Sequence, residues 1–503
     1  MDPVTPSSGE WDPQFSVWCS MATVRKAFPG VPQRQATFSR DFGSMLPCGT
    51  PRNASTRLSV LREAKRMATS RPNIVYIHSH DSGRCVSPYG YAMPTPHIQC
   101  FAEQGVTFRN AFCAAPSCSP SRAALLTGMY PHSNGMNGLV HRGAFALNDY
   151  SQHLLHTLRD IGYHTVLGGL QHIAQDTADI GFDCVLGPTQ HGQACVEAVV
   201  PRTEQFLDSR PGEPFFLDIG FFETHKIGPG GKCYPCGDDN VDSRYVLPPS
   251  CLPDTPETRF ATAQHREAVR VLDQGIGALL TALDRNGFTE NTLVLVTTDH
   301  GLPMPRMKRT LSDHGLGVMM MMRGPGGFAG GRVIDGLVSQ IDVFPTLCEL
   351  LEIPAPDWLQ GVSFLPLVAG TAERTRDYVF AELTYHTDYV PKRAVRGERY
   401  KYVRLYDSDS PKQDSDGGPA FELWRPHGWP ECVNQPEQLY DLLFDPAEAN
   451  NLIDHPDYQD VGAELGAVLD AHLTRTRDPI VHGPIPPRKL EDLGYVPDSI
   501  KNM

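Results

Sequence analysis

The sequence predicts an α/β fold, in which a mostly parallel central sheet is sandwiched by helices and followed by a smaller C-terminal α+β domain containing a short antiparallel sheet. Three observations carry this reading. From Asn73 onward, short apolar runs of strand length alternate with helical patterns. The first run, N-I-V-Y-I at 73–77, is continuously apolar, as a parallel strand buried on both faces requires. Near Thr371 the rhythm changes to short strands separated by turns. The division expected is an N-terminal extension over residues 1–70, a large α/β domain over 71–370 and a C-terminal subdomain over 371–503.

Taken in chain order, residues 1–70 are rich in Ser, Pro and Arg and lack a strand pattern. They read as a disordered or targeting extension, with a short basic helix at 57–67 and Met67 as a candidate start. After the strand at 73–77, a helix is expected at 96–105 with Thr95 as its cap. A second helix is expected at 152–161, with strands at 164–167 and 214–220. A long amphipathic helix follows at 260–286, then strands at 292–297 (T-L-V-L-V-T) and 317–322. The four methionines at 319–322 read as core. In the C-terminal part, strands are expected at 378–382, 394–395 and 400–405, and a closing helix at 460–475. No internal repeat is present.

Composition narrows the partners. The 503-residue chain carries a net charge of −14 and no long Lys/Arg run, which excludes nucleic acid as a natural partner. An anionic ligand then needs a local cationic pocket. No apolar run approaches the roughly 20 residues of a membrane span. The thirteen cysteines are odd in number and scattered, unlike a disulfide framework. Cys233-Tyr234-Pro235-Cys236 reads as a loop with a local disulfide rather than a zinc site, and Cys113 as a buried apolar residue. Asn53-Ala54-Ser55 is a glycosylation sequon. Met1 to Glu10 shows no secretory pattern, so the expected location is cytoplasmic.

Two strands end in polar clusters, His78-Ser79-His80-Asp81 and Asp299-His300-Gly301. Ligands in open α/β sheets bind beyond the carboxyl ends of the strands. If both strands are central, His80, Asp81, Asp299 and His300 converge on one divalent metal, and imidazole donors favour zinc, manganese or iron. The plainer alternative is polar strand ends meeting solvent. Cys118-Ser119-Pro120-Ser121-Arg122 precedes Leu126-Thr127-Gly128. A cysteine just before a helix start and near an arginine is a thiol nucleophile or, equally, a buried core residue.

The C-x-P-S-R run followed by T-G resembles the signature of the formylglycine-dependent sulfatases. The resemblance spans about residues 72–500. It includes Thr95-Pro96-His97, Phe108-Arg109-Asn110-Ala111-Phe112, His132-Ser133-Asn134-Gly135-Met136, Leu272-Asp273-Gln274-Gly275-Ile276-Gly277 and Gly361-Val362-Ser363-Phe364-Leu365-Pro366-Leu367. Near the C-terminus, Glu437-Gln438-Leu439-Tyr440-Asp441-Leu442, Asp445-Pro446 and Asn451-Leu452 also match. Within the family the chain most resembles the heparan N-sulfatase (sulfamidase) group, through Ser117 to Arg122, Asn134-Gly135-Met136 and Gly301-Leu302-Pro303-Met304-Pro305.

The resemblance implies an alkaline-phosphatase-like fold and a hydrolase acting on sulfate esters or sulfamates of sugars or glycans. It implies that a formylglycine-generating enzyme oxidises Cys118 to an aldehyde, whose hydrate is the nucleophile. Arg122 then corresponds to the arginine holding the hydrate, and Ser121 belongs to the maturation signal. His172 corresponds to a hydrate contact, His225 to a general acid and Lys308 to a cation on the sulfate oxygens. His80, Asp81, Asp299, His300 and position 118 correspond to the metal ligands. Tyr385, His386 and Arg396 are expected as substrate contacts from the C-terminal part, and His132 as a residue that caps a helix or bonds backbone. A homodimer is compatible with the family.

Three positions depart from its pattern: His80 replaces an Asp, His300 replaces an Asn, and Leu170 replaces a Lys. The family ion is calcium, whereas the two histidines admit manganese or zinc. The Asp299-His300 pair also resembles the phosphonate and phosphate ester hydrolases of the same superfamily. A non-catalytic sulfoglycan-binding protein is the remaining alternative.

Overall fold

The computed structural model describes residues 71–487, apart from 141–144, 191, 213, 228–233, 236–240, 411–416 and 428–433. The expectations for residues 1–70, for the Asn53 sequon and for Cys233 and Cys236 lie outside the described residues.

The first ten strands are β1 (Asn73–Ser79), β2 (Val106–Phe108), β3 (Ala111–Phe112), β4 (His164–Gly169), β5 (Cys184–Val185), β6 (Phe215–Gly220), β7 (Thr292–Thr298), β8 (Met320–Arg323), β9 (Arg332–Ile334) and β10 (Val338–Ser339). Eight of them form one sheet in the order β5-β4-β6-β1-β7-β8-β2-β9, and β3 pairs with β10. Only β8 runs antiparallel to its neighbours β7 and β2. Strand β1 is therefore central, parallel to β6 on one side and to β7 on the other.

Side-chain alternation shows that both faces are covered. Ile74, Tyr76, Leu293, Leu295, Met320 and Met322 belong to one buried cluster. Val75, Ile77, Val294, Val296, Met319 and Met321 belong to the cluster on the other face. The four methionines are thus core on both sides of the sheet, their unbranched chains filling the space beside the β-branched neighbours. The long helix runs Pro256–Arg285, four residues earlier at its start than its hydrophobic period suggests. Thr255 begins it with a reciprocal capping box to Thr258, a local bond pattern that apolar spacing does not report. The helix expected from 152 is divided, with a 3-10 turn at Tyr150–Gln152 and an α-helix at Leu154–Asp160 capped by His153. Thr95 precedes the Pro96–Gln104 helix without capping it by its side chain. Its Oγ1 accepts instead from Ser87 N at 2.9 Å.

The C-terminal sheet is an antiparallel meander of β11 (Val379–Tyr385), β12 (Tyr389–Arg396), β13 (Tyr400–Leu405) and β14 (Glu437–Asp441). Strand β14 was not anticipated as a strand, because it carries only a short apolar signal and is held by pairing with β13. The helix Gln459–Thr476 covers this sheet through Leu465, Leu469 and Leu473. Backbone bonds from Glu382 N to Ala114 O and from Tyr385 N to Asn137 O, both 2.9 Å, join β11 to the larger part. No helix among the described residues is long and apolar enough to cross a membrane.

Candidate active site

Because β1 and β7 are parallel neighbours with Ser79 level with Thr298, the residues that follow each strand emerge side by side. The two loops are then sewn together. Asp81 N donates to Asp299 Oδ1 at 2.8 Å, and Gly83 N donates to His300 O at 2.9 Å. His80, Asp81, Asp299 and His300 are all buried, and Asp81 is held at a positive φ of 45°. Such a backbone costs on the order of 1–3 kcal/mol and persists only where the surroundings over-determine it.

The cluster gathers ligand-type atoms with few protons between them. His80 Nδ1 lies 3.0 Å from Asp299 Oδ2 and 3.8 Å from Asp81 Oδ1. His300 Nδ1 lies 3.0 Å from the Gly301 carbonyl, which can only accept, so Nδ1 bears the proton and Nε2 the lone pair. That lone pair faces Asp81 Oδ1 at 3.4 Å, and Asp81 Oδ1 has no hydrogen-bond partner among the described residues. Cys118 Sγ is 3.3 Å from the same nitrogen. One ligand atom each from His80, Asp81, Cys118 and Asp299 lies within 4.8 Å of the others. A nitrogen lone pair facing an unpartnered carboxylate oxygen, beside a thiol in a buried site, fits a divalent ion.

Electrostatics agrees with that fit. Burial opposes ionisation of Asp81, but Lys308 and the neighbouring histidines outweigh it and hold the carboxyl well below the usual range. Asp299 is likewise held down, against burial, by His300, Arg122 and His80. Burial pushes His300 down despite both acids, toward the neutral form that can ligate.

The helix Cys118–Thr127 delivers the signature residues. Cys118, expected just before the helix start, is instead its first residue, with Ser117 preceding it, and all ten positions are buried. Spacing of three and four residues places Ser121 and Arg122 on the same face as Cys118. Ser121 Oγ donates to Asp299 O at 2.5 Å. Arg122 Nη2 donates to Ser79 O at 2.9 Å and to Asp299 Oδ2 at 3.0 Å, and Nη1 donates to His78 Nδ1.

Lys308, His225 and His172 join the cluster from other segments. Lys308 Nζ donates to Asp81 Oδ2 at 2.9 Å and stands 3.4 Å from His225 Nε2. His225 Nδ1 lies 2.6 Å from the Lys226 carbonyl, so Nδ1 is protonated and Nε2 is the nitrogen turned toward Lys308. The His225 ring is 5.0 Å from that of His80 and stacks on Phe222 at 4.9 Å. His172 is buried at a positive φ of 61°, its ring 5.6 Å from that of His80.

The three C-terminal expectations separate. His386 Nδ1 meets Ser117 Oγ at 2.9 Å, next to Cys118 in the chain. Tyr385 is half-buried, with its hydroxyl donating to Ile485 O at 2.6 Å. Arg396 is not brought to the cluster by any described contact. It pairs with Asp313 at 3.1 Å, lies over Phe112, and lines a separate cavity of about 250 Å³ with Arg84, Tyr91 and His314. His132 is engaged by side chains as well as by its own backbone N–H: its Nδ1 pairs with Glu382 and lies 3.4 Å from Asp478. Both differences arise from partners far away in sequence.

Asp218 was missed. Its signal was a carboxylate in the middle of the apolar run F-F-L-D-I-G of β6. It bonds His78 Nε2 at 2.8 Å, and burial pushes its carboxyl up to about 8.

Comparison with known proteins accords with this geometry. The family model described as Sulfatase matches residues 72–353, and that described as N-sulphoglucosamine sulphohydrolase, C-terminal, matches 305–413. An ulvan-active sulfatase of Formosa agariphila is 28% identical over 473 residues, covering 81% of this chain and 76% of the relative. The human N-sulphoglucosamine sulphohydrolase is 28% identical over 470 residues, covering 83% and 93%. The solved structure of BT1596, a 2-O GAG sulfatase, superposes with a TM-score of 0.62 at 23% identity, covering 85% of this chain and 97% of that one. The match over 72–353 takes in more than half of the 503 residues, and the chain belongs to the sulfatase family of hydrolases.

Proposed function

We propose that this enzyme removes sulfate from a sulfated amino sugar or glycan, as a sulfamate or an ester, using formylglycine formed from Cys118. Residues 71–370 act as the catalytic domain in this reading, and 371–503 complete the substrate pocket. The observation that carries it is the meeting of Cys118, His300 and Asp81, with Lys308 and Arg122 as the adjoining cations. Human N-sulphoglucosamine sulphohydrolase among the relatives supports the amino-sugar class.

His80, Asp81, Asp299, His300 and position 118 would hold a divalent ion that offsets charge on the sulfate oxygens. Formylglycine, hydrated, supplies a hydroxyl nucleophile for sulfur. The chain's own groups do the rest. Arg122 orients the group at position 118, and Lys308 binds a sulfate oxygen. Preorganised charge of this kind is usually the largest catalytic contribution. His225, protonated at Nε2, gives that proton to the leaving nitrogen or oxygen, a step worth about 10²–10⁴-fold. His172 accepts a proton at position 118. His386 and Tyr385 face the sugar.

The test is the mass of the peptide carrying residue 118, from a host with a formylglycine-generating system, together with sulfate release from glucosamine N-sulfate and O-sulfated sugars. An unmodified thiol throughout, with tight sulfoglycan binding and no turnover, would replace this reading by a binding protein. The neutral imidazole of His300 in the ligand set favours a second reading, a phosphonate or phosphate ester hydrolase. Higher turnover of phosphate than sulfate esters in manganese or zinc would establish that one instead.

A further inference from the structure

Arg122 is anchored by three acceptors: Ser79 O, Asp299 Oδ2 and His78 Nδ1. A guanidinium only donates, so His78 Nδ1 holds the lone pair and the ring proton sits on Nε2. That proton is donated to Asp218 Oδ1 at 2.8 Å. We propose that Asp218 and His78 are positioning residues for the reaction: Asp218 locks the His78 tautomer, and His78 thereby holds Arg122 in the orientation that serves the group at position 118. This rests on the function proposed above and assigns two residues outside its machinery.

Three observations support the assignment. Asp218, His78 and Arg122 are each no more than 2% exposed, and a polar pair inside parallel strands is costly unless its bonds are made and kept. The sheet is shaped around the ring. A Cβ at Gly220 would stand 2.0 Å from Leu170 O and 2.5 Å from His78 Cε1, so β6 has glycine where both that carbonyl and the imidazole pass, and Tyr76 lies beside the ring at 4.6 Å. Finally, Arg122 Nε has no hydrogen-bond partner among the described residues. The three anchors fix the guanidinium while leaving that donor for a ligand oxygen.

The experiment compares wild type, Asp218→Leu and Asp218→Asn, each with its aldehyde content at position 118 and its Tm recorded. Sulfate release is measured on glucosamine N-sulfate and on 6-O-sulfated glucosamine. Asp218→Leu is expected to lower kcat by about 10²-fold, the scale of a small misplacement of a catalytic group, with KM changed far less. Asp218→Asn keeps an oxygen that accepts from His78 Nε2 and is expected to restore most of kcat. If Asp218→Leu does not fold, His78→Gln replaces it: its amide reaches Asp218 but leaves Arg122 without its partner, and the same fall in kcat is expected. An unchanged kcat in the disrupting variant, or an Asp218→Asn variant equally impaired, overturns the assignment. Wild type that carries the aldehyde and turns over neither sugar overturns the proposed function instead. The crystal structure of the variant then decides alone: Arg122 still in place refutes the positioning role, and a displaced guanidinium supports it.

Discussion

Two buried clusters in this molecule use almost the same residue types and do different things. At the ends of β1 and β7, two aspartates meet His80 and His300 beside Arg122 and Lys308. Beneath the C-terminal sheet, Glu382 and Asp478 meet His132 beside Arg393. In the second cluster the protons and cations are matched to the acids. Arg393 holds Asp478 through two bonds of 2.5 and 3.1 Å, and both the backbone N–H and Nδ1 of His132 go to Glu382. Burial opposes a charged His132, but Glu382 and Asp478 outweigh it and raise its pKa. In the first cluster His300 is pushed the other way, and its lone pair faces an acid with no proton between them. Composition makes both sets resemble metal sites; the location of the protons makes one a clamp and leaves the other a receptor.

Replacing Cys118 by Ala is the most severe way to test the receptor side. It is expected to lower turnover by on the order of 10⁴-fold or more while Tm stays close to wild type, since position 118 in the proposed mechanism carries chemistry rather than folding. A disrupting change in the second cluster should do the reverse. Arg393→Met leaves Asp478 buried without its cation and is expected to cost about 3–5 kcal/mol of stability, read by denaturant unfolding, with kcat per folded molecule retained. A large loss of kcat at full stability would make this cluster part of the site.

Divalent ions provide a gentler contrast. Manganese or zinc at about 100 times its Kd is expected to stabilise wild type by about 2.7 kcal/mol. His300→Ala should lose most of that gain and Glu382→Gln none of it. A gain lost in Glu382→Gln and kept in His300→Ala would exchange the two roles. The smallest effect is on pH. The folded-state pKa of His132 is raised, so its contribution to stability is complete below the unfolded value of about 6.5 and disappears as pH rises through the folded value. Wild-type Tm should therefore decline above neutral pH by more than that of His132→Gln. Equal slopes in the two proteins would show that His132 carries no charge in the clamp.

Much of the architecture was legible because it depends on near neighbours in the chain. Apolar runs located β1, β6 and β7, and the ring of polar residues after two of them located the cluster. The residues around Cys118 located the helix start to within one position. Less legible were the elements that need a distant partner: β14, Thr95 turned to Ser87 instead of its own helix, and Arg396 drawn to Asp313. Asp218 lay in plain view inside an apolar strand, and its meaning required His78 from the adjacent strand.

By itself, then, the sequence determined the sheet's strands, the family signature at 118–122 and the residue types of the site, since periodicity, caps and motif spacing are properties of short segments. Only the tertiary structure decided which imidazole nitrogen holds a proton, which acid already has a cation and which arginine is held in place. Those outcomes depend on carbonyls and charges brought from distant segments, 250 residues away in the bond between His132 and Glu382, and in a buried site of low dielectric they decide the chemistry.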